Sequence, residues 1–194
     1  MGEKYRNLID RIIYGLVEDK SIDMVDVEAY KFGLEVTILK AVHYVSYIVI
    51  ALCMNKFLEF VIVFSILYAF RRNTGGFHAK TRIGCYLFSC AVIFLSLLAT
   101  KLSFTWWGMT VVSVLDLILL LILSPIQHIN RRLDAEDITY FRRRLKIISL
   151  AFIIIYAVTS GLGGWYLVKL YTIGFTMVTI LTVLGKLESL KQSP

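Results

Sequence analysis

The sequence predicts an all-α, polytopic membrane helix bundle of about six transmembrane spans, preceded by an amphipathic interfacial helix. Three observations carry this. Hydrophobic residues make up 58% of the 194 positions and charged residues only 18%, whereas a soluble domain carries about 45–50% apolar and about 25% charged residues. The apolar residues gather into six stretches: 34–54, 57–70, 83–100, 104–124, 146–168 and 170–185. The basic residues alternate between the connections that join them.

Residues 1–33 are too polar to span. Tyr5, Leu8, Ile9, Ile12, Ile13, Leu16 and Val17 recur at helical spacing, with Glu3, Lys4, Arg6, Asp10, Arg11, Glu18 and Asp19 opposite them. That pattern is an amphipathic helix, able to lie in lipid or to pack on the bundle. It defines a cytoplasmic N-terminal segment, 1–33, ahead of a bundle at 34–194. A helix needs roughly 20 residues to cross a bilayer, so 57–70 and 170–185 look short. Pro125 supplies a stop for the fourth stretch. The Gly-Leu-Gly-Gly run at 161–164 reads as close helix packing or a helix break.

Six spans with both termini on one side place seventeen of the 21 Lys and Arg there, and only Lys56, Lys101 and Lys169 opposite. Loop basicity sets orientation, so the rich side is cytoplasmic. Trp106 and Trp107 then fall at the outer end of the fourth span, where an aromatic belt belongs. The net charge of +7 follows from these loops and does not call for nucleic acid. Cys53 and Cys90 lie in apolar runs, where cysteine acts as a small hydrophobe. No spacing suggests a disulfide framework, a metal or another cofactor. His43 and His128 read as packed or solvated residues.

The chemistry concentrates in one cytoplasmic loop, Arg71-Arg72-Asn73-Thr74-Gly75-Gly76-Phe77-His78, continuing to Gly84-Cys85. A cysteine nucleophile needs a base and access to substrate. In a continuous helix, His78 and Cys85 would stand about 10.5 Å apart, beyond the roughly 3 Å of a hydrogen bond. The backbone must therefore fold back between them. Gly75, Gly76 and Gly84 permit this, because glycine reaches φ > 0 freely. Cys85 begins the third span, where the helix dipole favours a thiolate. Thr81 suits the N-cap there, and N–H groups near Gly84–Tyr86 suit an oxyanion. Asn73, Glu35 and Asp116 are candidates to orient His78.

This run resembles the accessory gene regulator protein B (AgrB) family, membrane cysteine peptidases of Gram-positive bacteria. The family's hallmark is an arginine, a double glycine, a histidine two residues on and a cysteine seven beyond it. Arg71 (with Arg72 beside it), Gly75-Gly76, His78 and Cys85 match it in place. The resemblance implies that Cys85 is the nucleophile, His78 the base, and Arg71, Arg72 and the glycines structural or substrate-orienting. It further implies cleavage of an AgrD-like propeptide and closure of a thiolactone or lactone for quorum sensing, by a homodimer that works without a cofactor. The acidic tail of such a propeptide suits Arg142, Arg143 and Arg144, which topology alone also explains. The alternative class is a small transporter or peptide exporter, with Lys40 and Asp116 lining a pathway.

Overall fold

The fold was obtained as a computed structural model, which describes residues 3–19, 21, 23–77, 81–126 and 133–192, with the side chains of 3–8 and 192 left out. Among the described residues the chain is helical throughout, with seven α-helices and no strand. In order they are α1 (Glu3–Glu18), α2 (Val27–Cys53) after one 3-10 turn (Met24–Asp26), α3 (Phe57–Thr74), α4 (Arg82–Ala99), α5 (Trp106–Leu123), α6 (Ala135–Gly161) and α7 (Trp165–Gln192). Five regions are long and apolar enough to cross a membrane: Met24–Cys53, Arg82–Ala99, Trp106–Leu123, Ala135–Gly161 and Trp165–Lys191. The chain is thus a multi-pass membrane protein. The remaining apolar stretch is α3, whose 18 residues include Glu59, Arg71 and Arg72.

The chain divides into two compact units, residues 1–47 and 48–194. In the first, the expected amphipathic segment forms α1, with Ile9 and Ile13 buried one turn apart. Lys31 of α2 pairs with Asp10 of α1 at 2.5 Å.

The second unit is built around α7, which packs against α3, α4, α5 and α6. Val168, Leu170, Ile173, Phe175, Val178 and Leu181 of this helix are all buried. The rings of Phe70, Phe152 and Phe175 meet with centroids 4.5–5.6 Å apart and tie α3, α6 and α7 together. On α5 the usual amphipathic pattern is inverted. Val111, Leu115, Ile118 and Ile122 form an exposed apolar stripe, while the buried face carries Ser113 and Asp116. This is what an apolar solvent demands, since polar groups must then find partners inside the bundle. Ser113 bonds Thr172 at 3.1 Å, and Thr176 donates to the Asp116 carboxylate at 2.6 Å.

Several boundaries differ from the sequence expectation: α2 starts at Val27 and α6 at Ala135, ahead of the expected 34 and 146, because the helices run on into polar residues. The fifth span was expected to run to 168, but α6 stops at Gly161 and the chain turns through 162–164. Gly163 holds φ +76°, and a Cβ on Gly164 would sit 2.8 Å from the Thr159 side chain. The glycine run is therefore a helix break. The last stretch, expected to be short, extends to 28 residues. Trp165–Lys169 and the polar end with Lys186, Glu188 and Lys191 continue its helix.

At the end of this unit formed by the α4–α5 and α6–α7 connections, lysines close the C-terminus of α4. Lys56 approaches the Thr100 hydroxyl, and Lys169 donates to the Thr100 carbonyl at 2.9 Å. Glu59 accepts from Tyr166 at 2.6 Å and lies 3.8 Å from Lys56. Cations favour a helix C-terminus because its last carbonyls are unpaired. Trp106, Trp107 and Trp165 gather at this same end.

Candidate active site

The opposite end holds the glycine loop. Phe70 is fully packed, so α3 is anchored up to its last turn. The helix then continues through Arg71, Arg72, Asn73 and Thr74 before Gly75 breaks it. Gly75 adopts φ +73° and Gly76 φ +137°, conformations that exclude most side chains. Their surroundings exclude them too. A Cβ on Gly75 would sit 3.0 Å from the Ile126 carbonyl oxygen. One on Gly76 would strike the Arg71 guanidinium and lie 2.9 Å from the Leu181 carbonyl oxygen.

Arg71 folds its side chain over this turn. Nη1 donates to the Gly75 carbonyl at 2.8 Å, and Nη2 to the Phe77 carbonyl at 2.5 Å. A guanidinium fork can serve two fixed acceptors at once. Burial lowers the Arg71 pKa from its usual value, and a thiolate at Cys85 raises it again. Arg72, by contrast, is exposed. Of the two arginines the sequence left open, Arg71 is the one that engages the loop.

Other elements grip the same turn. The Ile126 N–H donates to the Thr74 carbonyl at 3.0 Å, and the Phe77 N–H donates to the Leu181 carbonyl of α7 at 3.1 Å. The Phe77 ring packs on Phe88 of α4, centroids 4.8 Å apart. Phe77 is thus held at its N–H, its carbonyl and its ring. It is the residue directly before His78. His78 itself, with Ala79 and Lys80, lies outside the described residues.

Cys85 stands in the first turn of α4, half-buried and not in a disulfide. It precedes Phe88 by three positions, so both lie on one side of the helix. The Phe77–Phe88 contact brings the end of the glycine turn against the first turns of α4. Thr81 is the N-cap, its hydroxyl accepting from the Gly84 N–H at 3.0 Å, while the Cys85 N–H bonds the Thr81 carbonyl at 2.9 Å. This corrects the oxyanion expectation at two positions, because the N–H groups of Gly84 and Cys85 are already engaged by the cap.

Asn73 is buried, its amide donating to the Ala69 carbonyl at 2.8 Å while Oδ1 has no partner among the described residues. Asp116 accepts from Thr176 within the α5–α7 seam. Glu35 belongs to α2. Arg142 and Arg143 are exposed on α6, and Arg144 lies 5.5 Å over the Tyr140 ring while bonding its hydroxyl. Sequence reasoning missed the α7 contribution, Leu181 and above all Gly185. A Cβ there would lie 2.5 Å from Gly76 Cα and 2.6 Å from the Phe77 nitrogen. A glycine inside an apolar helix is the one local signal for such a backbone approach.

The family model of accessory gene regulator B matches residues 9–188. The chain belongs to this family. AgrB membership points to a part in agr quorum-sensing propeptide processing, with an AgrD-like propeptide as substrate. The match takes in α2 to α6 whole and most of α1 and α7, so it embraces the loop and both helices that hold it. No curated protein and no solved structure matches the chain.

Proposed function

We propose that this AgrB-family chain is a membrane cysteine endopeptidase. It removes the C-terminal part of an AgrD-like propeptide through an acyl-enzyme and promotes closure of a thiolactone or lactone ring. The observation that carries this reading is the grip on Phe77. Three elements hold the residue before His78: α3 through Arg71, α7 through the Leu181 carbonyl, and α4, whose first turn bears Cys85, through Phe88.

In this mechanism His78 takes the Cys85 proton, and the thiolate sulfur attacks the scissile carbonyl. The C–N bond breaks as His78 returns the proton to the leaving amine. The peptide remains on Cys85 as a thioester. A cysteine thiol or serine hydroxyl of the same peptide then attacks that carbonyl. The ring closes, the C–S bond breaks and the Cys85 thiol is regenerated. A site at the membrane surface that limits water favours ring closure over hydrolysis. The basic residues at this end support a cytoplasmic orientation, and the family resemblance supports a Gram-positive source. There Arg142, Arg143 and Arg144 would meet an acidic tail, and α1 the lipid surface.

The test is co-expression with a short peptide that has an amphipathic start, a central Cys or Ser and an acidic end. Cys85→Ala and His78→Ala should each abolish cleavage while membrane insertion stays normal. Cleavage by Cys85→Ala would sink the peptidase reading. Abundant linear product from the purified enzyme in lipid would sink the ring-closing step alone.

A further inference from the structure

We propose that Gly185 of α7 is a positioning residue of the active site: its bare backbone is the seat that fixes Gly76 and Phe77, the turn that leads into His78. The inference rests on the cysteine-peptidase reading and extends it to a helix far along the chain. Leu181 and Gly185 are one turn apart, so they share a face of α7. Leu181 offers its carbonyl to the Phe77 N–H, and Gly185 offers an absent side chain to Gly76. Arg71 closes over Gly76 from another side, since a Cβ there would collide with its guanidinium. Gly76 is thus clamped between one side chain and one backbone, and it cannot yield to a methyl group at 185.

Gly174 makes the matched comparison on the same helix. A Cβ there would come nearest to the Ile66 side chain, at 3.2–3.4 Å, a contact that a shift of a few tenths of an ångström relieves. At Gly185 the obstacle is backbone, 2.5–2.6 Å away. Restoring ordinary contact requires a shift of about 1 Å, which is enough to cost roughly 100-fold in a catalytic constellation.

The experiment uses the full chain in lipid vesicles, carrying Cys53→Ala and Cys90→Ala so that Cys85 is the lone thiol. Iodoacetamide alkylation of Cys85 is timed at pH 7 and at pH 10. The expected result is that Gly185→Ala slows the pH 7 rate, by up to about 30-fold, because an unassisted thiol with pKa about 8.5 is only a few per cent ionised there, while Gly174→Ala does not and the pH 10 rates stay equal. At pH 10 the thiol ionises without help, so equal rates there report an intact helix and equal access. Equal slowing in both glycine variants would overturn the proposal, as would an unchanged pH 7 rate in Gly185→Ala. So would failure of Gly185→Ala to insert and fold, because the proposal confines the damage to the loop. His78→Ala separates the two readings. If it leaves the pH 7 rate unchanged, the peptidase reading fails. If it slows that rate and Gly185→Ala does not, only the seat fails.

Discussion

The two ends of the second unit are built on opposite plans. At the lysine end, long side chains from three elements converge redundantly. Lys56 and Lys169 both serve Thr100, and Glu59 is shared by Lys56 and Tyr166. At the loop end, one guanidinium serves both carbonyls, and backbone rests directly on backbone at Gly76 and Gly185. Flexible side chains absorb change, and shared partners replace one another. A single fork over packed glycines does neither. The lysine end therefore holds helices together, whereas the loop end holds a geometry.

This contrast predicts unequal sensitivities. The largest effect is expected at Gly76→Ala, where φ +137° and the Arg71 guanidinium both forbid a Cβ. Displacing the turn by about 1 Å should cost roughly 100-fold in propeptide cleavage or more, with little loss of membrane-inserted protein. Activity near that of the unaltered chain would show that the loop tolerates displacement, and the contrast between the ends would collapse.

A smaller effect is expected when charge is kept and shape is changed. Arg71→Lys retains the cation but loses the fork. One of the two carbonyls then goes unserved, and a hydrogen bond to a charged group contributes about 1.5–3 kcal/mol. Cleavage should fall about tenfold or more, since 1.36 kcal/mol in a barrier is a factor of about ten. Lys169→Arg keeps a cation at the end of α4 and should leave cleavage unchanged. Equal losses in the two variants would place both arginine and lysine in a merely structural role.

Much of the bundle was legible because lipid imposes a simple rule on composition. The amphipathic α1 and the Thr81 cap both follow from residue type and local spacing. The ends of α6 and α7 did not, because the apolar run continues across the break at 162–164 and gives hydropathy nothing to detect. Polar residues past 185 looked like a tail, although Lys186, Glu188 and Lys191 extend the helix. In the site, the double glycine and Arg71 announced a tight turn. What lay beneath that turn was not announced. Gly185 meets Gly76 from more than a hundred residues away, and no periodicity in either segment encodes that approach.

The smallest effect offers the cleanest comparison, because each end has one threonine N-cap. Thr81 caps α4 at the loop, accepting from the Gly84 N–H at 3.0 Å. Thr105 caps α5 at the lysine end, accepting from the Gly108 N–H at 3.2 Å. Both are exposed. Removing either hydroxyl by substitution with alanine should cost about 1 kcal/mol of stability, measurable as similar downward shifts in thermal unfolding in detergent. The consequences for cleavage should differ. Thr81→Ala frays the turn that bears Cys85 and should slow cleavage a few-fold, while Thr105→Ala should leave it unchanged. If both variants lost activity in proportion to stability, the loop end would be no more exacting than its opposite.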